Sequence, residues 1–551
     1  MAGLTRTTQQ QFGGGTYRNG ALELIPPNGC FDISNGLLNL AGDVFRRGGS
    51  TYRSNAPFGS GLRWIWDGWL ATSGHTTLIA STTEYGKLEG SGAVTALGHG
   101  GQSSPGKAVA YKGVLYLPGG QTYDGTTWGT AAKVAPYYAV VANRLLAASN
   151  DTVWFSHIST AGVPEPAKYE PNDFHTIPGG VQILGIEGGR DSCIVFTTGG
   201  VWVISNMAMN LVDATGNVQQ RLDRFSGDLV LWGAQGIAAW QGNLIVPGTD
   251  AVWLINRGVS SEVPKSFSRI GDPIHSLYEE YVRSSYVPGG ACVHESNYLL
   301  PVLGYGTVVD LLACRLDIPH PAGQGQGAWS RLAGSGAKVP ALVSRVSDQT
   351  AREPELLGVE HEGNRRVLTL NYYLPTAVNH RDADGTVPPF SLETRGYATG
   401  QLDVNLVARL RIGYRCSDNE GEPTIRAEVA GGHPSTGGSV WGAFAWGGAA
   451  KWSTPGAGTY EPLAGEAPPS VTSPQLAGAR WGSFTWGSAA SWTSGLTIVG
   501  EAPVSIVGMQ IHSWRLRRRA QTVRFRLTCS QPSAQLVLKQ LEVFIRPGGR
   551  P

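Results

Sequence analysis

Residues 101–107 read GQSSPGK and carry the GxxxxGK spacing of a phosphate-binding loop. Such a loop needs a Ser or Thr after the lysine to hold magnesium, and a helix N-terminus to receive phosphate. Here Ala108 follows Lys107, and a strand pattern follows that, so no nucleotide site is expected. His294-Glu295 and His361-Glu362 pair a metal ligand with a base. Both lack a second histidine four residues on, so neither is a zinc helix. GQGQG at 323–327 lacks the strand, turn and helix of a dinucleotide site, and no GxSxG occurs. Two carboxylates for glycoside hydrolysis can meet in space on a β scaffold, but no spacing here places them. The chain is therefore expected to be no enzyme, with no catalytic residue, no cofactor and no metal site.

What the sequence does offer is contact chemistry. Residues 440–452 (VWGAFAWGGAAKW) and 480–492 (RWGSFTWGSAASW) align at 8 of 13 positions with an offset of 40 residues, which is an internal duplication. The shared aromatics are Trp441, Phe444, Trp446 and Trp452 in the first copy, and Trp481, Phe484, Trp486 and Trp492 in the second. Tryptophan is a large apolar plate with one N–H, suited to a packed hairpin layer, a subunit contact or a platform for a sugar. A second set is basic: Arg515, Arg517, Arg519, Arg524 and Arg526 fall on two successive strand patterns. Strict alternation would put each strand's arginines on one face, for contact with DNA phosphates or an acidic partner, or as a solvated or ion-paired sheet face. Arg46-Arg47, before Gly48-Gly49, is a smaller case of the same kind.

The elements that must position these residues are strands. Charged residues make up only 15% of the chain against roughly 25% in an average domain, and the net charge is +2, so no global argument for nucleic acid follows. Helical periodicity is almost absent; HSLYEEYVR at 275–283 is the best candidate. A hairpin unit recurs instead, often closed by Val-Trp, as in 140–156, 191–205 and 238–256. The tryptophans of the pairs at 153/154, 201/202 and 252/253 are spaced by 48 and 51 residues. A period of roughly 40–50 residues with several strands in each predicts a β-propeller, here of six or seven blades. TYDGTTW at 122–128 resembles the Asp-box turn of sialidase-type propellers with one residue missing, a folding element and not a catalytic one.

The predicted organisation is all-β. Residues 1–30 form an N-terminal arm and 31–375 the propeller; 376–400, polar and Pro/Gly-marked, form a linker. Residues 401–551 form a C-terminal β-sandwich carrying the tryptophan cassettes as an insertion. The six scattered cysteines, without CxxC, read as buried thiols in a reducing compartment. The first residues, MAGLTRTTQQQFGGG, lack an apolar core, so no secretory signal is expected. No run approaches 18 apolar residues, so no membrane span is expected.

Two segments carry a family resemblance. Residues 32–49 (DISNGLLNLAGDVFRRGG), through Asn35, Arg46, Arg47 and Gly49, look like the opening of tail nozzle and tail-tip propeller proteins of tailed bacteriophages. The WGxFxWG cassette resembles a recurring element of phage tail proteins, and the closing strands at 522–549 are similar to theirs. The resemblance touches about a fifth of the chain. It implies a structural virion component assembled in the host cytoplasm. It further implies a homo-oligomeric ring, commonly a hexamer, that contacts other tail proteins and lets genomic DNA pass during ejection without sequence-specific binding. An alternative is a minor tail or tail-tip protein that touches the host surface or glycans through the cassettes.

Overall fold

The computed structural model describes most of the chain. Residues 1–4, 10–11, 19–24, 101–106, 160–162, 166–167, 172, 209–218, 257–265, 319–326, 346–353, 374–380, 398–404, 418–423, 433–495, 504–507, 521, 530–534 and 548–551 lie outside the described residues. The duplicated cassettes fall in that set, as does most of the GQSSPGK segment.

The fold is an all-β propeller of seven blades joined to a β-sandwich. Blades 1 to 6 are antiparallel meanders at 62–96, 109–130, 137–176, 183–226, 238–269 and 292–332. Blade 7 takes three strands from 341–370 and its fourth, Ser50–Tyr52, from the start of the chain, with Leu368 opposite Tyr52 and Leu370 opposite Ser50. Each blade buries an apolar face against the next. Leu62, Ile65 and Ile79 of blade 1 pack on Leu357, Val359 and Val367 of blade 7, which closes the ring.

Local sequence explains the blades. Lys112–Gly113, Ala142–Asn143, Gln241–Gly242 and Glu295–Ser296 each join first and second strands of a blade with φ positive at both residues. That is the two-residue hairpin turn whose twist matches its strands. The Val-Trp pairs open or lie within third strands: Val153, Val201 and Val252 are fully buried between blades, and the following tryptophan lies half-buried on the other face. In TYDGTTW, Asp124 Oδ1 accepts the backbone N–H of Thr126 (2.8 Å) and Thr127 (2.7 Å). Trp128 then packs on Tyr85 of blade 1 and Tyr123 of blade 2, ring centroids 4.9 and 4.7 Å away. The one α-helix among the described residues is His275–Arg283, between blades 5 and 6.

Three expected boundaries are corrected. The described strands before residue 47 form no separate arm and pair into the two sandwich sheets, one of which runs on into blade 6. Thr5–Gln9, Gly36–Leu38 and Val44–Arg46 belong to one sandwich sheet, whose order continues through Gln535–Pro547 and Asn405–Ser417 to Gly508–Ala520. Gly29–Ser34 belongs to the second sheet. The linker at 376–400 holds Phe390–Thr394, a central strand of that sheet between Gly29–Ser34 and Thr522–Cys529, with Phe390 and Leu392 buried in the core. Flanking Pro and Gly had hidden five alternating residues. Leu496–Pro503 is a further strand, paired to Thr424–Gly432 and running Ala430 opposite Leu496. These two strands are neighbours at the end of the sheet order, and the sequence between them is 433–495. Ile33, Leu392 and Leu527 of one sheet meet Leu541, Val543 and Ile545 of the other in a single core. The second sheet runs on into blade 6, where Ser34 lies parallel to Arg331.

Candidate functional site

The segment 32–49 forms a clasp between the two units. Asn35 adopts φ 55°, a left-handed conformation that asparagine tolerates. Its side chain donates to the Pro389 carbonyl (2.9 Å), and its Oδ1 accepts from Arg47 Nε (3.0 Å) and the Ala333 N–H (2.8 Å). Arg47 is fully buried. Its two terminal nitrogens form a fork on Asp382 (both 2.9 Å) and also donate to the carbonyls of Gly48 (2.9 Å) and Ala333 (2.8 Å). Arg46, 2% exposed, donates to the Pro388 carbonyl at 3.0 Å. Gly49 has no alternative: a Cβ there would sit 1.8 Å from the Arg381 carbonyl oxygen. The Arg46-Arg47 pair, read from sequence as a possible anion contact, is thus consumed inside the molecule.

The five basic residues of the C-terminal strands do not form one face. Arg515, Arg517 and Arg519 lie on Gly508–Ala520 in the first sheet, whereas Arg524 and Arg526 lie on Thr522–Cys529 in the second. Contiguity in sequence is broken because these two consecutive strands belong to different sheets. Arg524 and Arg526 both pair with the buried Glu393, at 2.7 and 3.2 Å, so both are engaged within the chain. In the first sheet Arg515 lies opposite Arg409 and Arg518 opposite Val407, three residues against two. The extra residue is a bulge, which takes Arg517 out of the alternation. In register, Arg515 lies opposite Arg409 and Arg519 opposite Leu406, and the Asn405–Ser417 strand also carries Arg411, two arginines that sequence reading overlooked. The signal was the period of two in VARLRIGYR. Trp441, Phe444, Trp446, Trp452, Trp481, Phe484, Trp486 and Trp492 lie outside the described residues.

At the ring centre, Lys107 at the start of the blade 2 inner strand pairs with Glu187 on the blade 4 inner strand. These blades are not neighbours, so one lysine spans the gap between them. Val109–Tyr111, a strand and not a helix, follows Lys107. The His294 Nδ1 lies 3.0 Å from the Ser344 hydroxyl, and His361 lies beside Arg63 at 3.4 Å, so neither ring meets a metal-ligand set. Among the described residues no group of three or more His, Cys, Asp or Glu is placed to hold a metal ion. No helix among them is long and apolar enough to cross a membrane. Cys30, Cys193, Cys292, Cys314 and Cys529 are free thiols. Burial pushes the Cys292 thiol up to about 12 and those of Cys30 and Cys314 above the usual thiol range, which leaves them unreactive.

Burial also lowers His294 from 6.5 to about 4, and lowers His175 and His361 in the same direction. Between pH 6.5 and 4 the unfolded chain binds a proton at His294 that the fold rejects. Stability therefore rises with pH through this window and is lost on acidification. Urea midpoints measured from pH 7 to 4.5 should fall. His294→Gln should flatten the profile by about 1.4 kcal/mol per pH unit at most.

No family model matches the chain, and no curated protein matches it. Among solved structures, the AfRom2 CNH domain is 10% identical with a TM-score of 0.33, covering 59% of this chain and 99% of that one. The extracellular domain of the hybrid two-component system BT4673 from B. thetaiotaomicron is 10% identical with a TM-score of 0.34, covering 62% of this chain and 44% of that one. Human WBSCR16 is 13% identical with a TM-score of 0.25, covering 47% of this chain and 66% of that one. All three scores are below 0.5.

Proposed function

We propose that this chain is a structural component of a bacteriophage tail, a nozzle or tail-tube ring protein that forms part of the DNA-ejection channel and joins other tail proteins. The observation that carries the reading is the position of the resembling segment. Asn35, Arg46, Arg47 and Gly49 are the residues that fasten the ring to the sandwich, so the likeness falls on the joint that defines this architecture.

In this reading the channel lies between copies. The Lys107–Glu187 contact joins two non-adjacent blades across the centre of one propeller, so that centre is not the channel. A closed ring of copies supplies a wider lumen. Mass spectrometry of purified virions and electron microscopy of the isolated protein test the proposal. A multi-copy ring is expected, and a stable monomer absent from virions would remove it.

A second reading, a tail-tip protein touching host glycans, draws on the direct pairing of Thr424–Gly432 with Leu496–Pro503, the strands that flank the tryptophan cassettes in sequence. Glycan-array binding that disappears with Trp446→Ala and Trp486→Ala would favour it.

A further inference from the structure

We propose that the cavity between blades 6 and 7 is a binding site for a neutral, hydroxyl-bearing ring the size of one sugar residue. The inference stands independently of the tail reading and of the tryptophan cassettes.

Contacts within the chain preorganise the walls. The Glu295–Ser296 turn, with φ positive at both residues, fixes the end of the Cys292–His294 strand. His294 Nδ1 lies 3.0 Å from the Ser344 hydroxyl, and the ring packs on Tyr373 with centroids 5.5 Å apart. Asn371, two residues before Tyr373, is pinned by its backbone N–H, which donates to the Gly49 carbonyl at 3.0 Å. Glu355 opens the second strand of blade 7, and its Oε1 accepts from the Thr369 hydroxyl at 2.9 Å and lies 3.6 Å from Arg53. His294, Glu355, Asn371 and Tyr373, with Leu356 and Leu370, line a cavity of about 170 Å³. A six-membered ring suits that space, since a cavity of about 150 Å³ admits benzene.

Unpaired polar atoms select the occupant. The Tyr373 hydroxyl is buried and has no hydrogen-bond partner, a cost that a ligand removes by bonding it. Burial raises this phenol well above its usual range, so it keeps its proton and needs an acceptor. Burial also lowers His294 to about 4, so at neutral pH the ring is uncharged, and its Nε2 has no partner among the described residues. The Asn371 side-chain amide and Glu355 Oε2 have none there either. The wall thus offers both donors and acceptors, and a hydroxyl is the group that answers both. An ammonium only donates, and leaves the Tyr373 proton unplaced. An anion meets the carboxylates of Glu295 and Glu355, and no lysine or arginine stands among the described wall residues. Water fills the polar half alone. A sugar ring sets hydroxyls on the polar atoms and lays its C–H edge on Leu356 and Leu370, the mixed lining of a small-molecule site.

The test uses the full chain and saturation-transfer NMR, with methyl α-glucoside, methyl α-galactoside, methyl α-mannoside and N-acetylglucosamine as probes. At least one should bind with a Kd on the order of 1 mM, as expected for a ligand of this size. Glucose 6-phosphate should bind at least about tenfold more weakly, because its charge faces two carboxylates. Tyr373→Phe should weaken the bound glycoside about tenfold. Its urea midpoint should stay level or rise, because the lost hydroxyl bonds nothing in the free protein. Asn371→Ala is the second variant and should weaken binding in the same way. Trp446→Ala with Trp486→Ala should leave the affinity unchanged. No saturation transfer from any probe at about ten times that Kd overturns the proposal without any variant having to fold, and leaves the cavity to water. A folded Tyr373→Phe that binds as tightly as the wild type also overturns it. So does binding lost only with the tryptophan changes, which moves the sugar to the cassettes. Tighter binding of butylammonium than of any glycoside overturns the choice of a neutral ligand.

Discussion

Asp382→Ala should lower the free energy of unfolding by about 3–5 kcal/mol, read as a fall in the denaturant midpoint and in Tm. Arg47 and Asp382 are both fully buried in the clasp. Removing the carboxylate leaves a guanidinium in the interior with two donors unpaired, and the desolvation already spent on the cation is no longer offset. The other donors of Arg47 are fixed on Asn35, Gly48 and Ala333, so the side chain cannot swing out to water without breaking them. Asp382 also accepts the Gly336 N–H at 2.9 Å, so the 3-10 turn Ser335–Ala337 after blade 6 loosens with it. The double replacement Arg47→Met with Asp382→Leu should recover much of the loss, because an apolar pair of similar volume carries no buried charge. A single variant as stable as the wild type would show that the pair holds nothing.

Deleting residues 1–52 should be more severe and yield no folded protein. It removes Phe12, Cys30, Ile33, Leu38 and Val44 from the sandwich core and the fourth strand from blade 7. At about 1.5–3 kcal/mol for each buried apolar side chain, the loss rivals the total of about 5–15 kcal/mol that holds a native domain together. By contrast, replacing 436–492 with a short turn should leave Tm nearly unchanged, since Thr424–Gly432 and Leu496–Pro503 already pair as neighbours. Circular dichroism and limited proteolysis of the two deletions would separate these outcomes. A folded product from the first would contradict the strand pairing that closes the ring.

The blades were legible because each is local. Val153, Val201 and Val252 repeat at blade spacing, and TYDGTTW and HSLYEEYVR are decided by near neighbours. What sequence hid was long-range pairing. GCFDIS at 29–34 reads as a strand, but nothing in it says that its partner is FSLET at 390–394. Arg47 read as an exposed cation because Asp382 lies 335 residues away. Arg515 to Arg526 read as one basic set because alternation was carried through a bulge and across a change of sheet. Arg409 and Arg411 join Arg515 only through register, which composition does not encode.

The sandwich is stitched from both ends of the chain, and that imposes a timetable. Arg6 bonds Glu542, 536 residues later, so the Thr5–Gln9 strand waits for a partner made long after it. At about 5–20 residues per second the wait is on the order of half a minute to two minutes. Through that interval blades 1 to 6 can stack as they emerge, while Ser50–Tyr52 has no Val367–Leu370 to zip against and Gly29–Ser34 has no Phe390–Thr394. The nascent protein is an open arc with sticky strand edges at its leading end. Its yield in the cell should depend on chaperones that shield those edges until Gln535–Pro547 arrives.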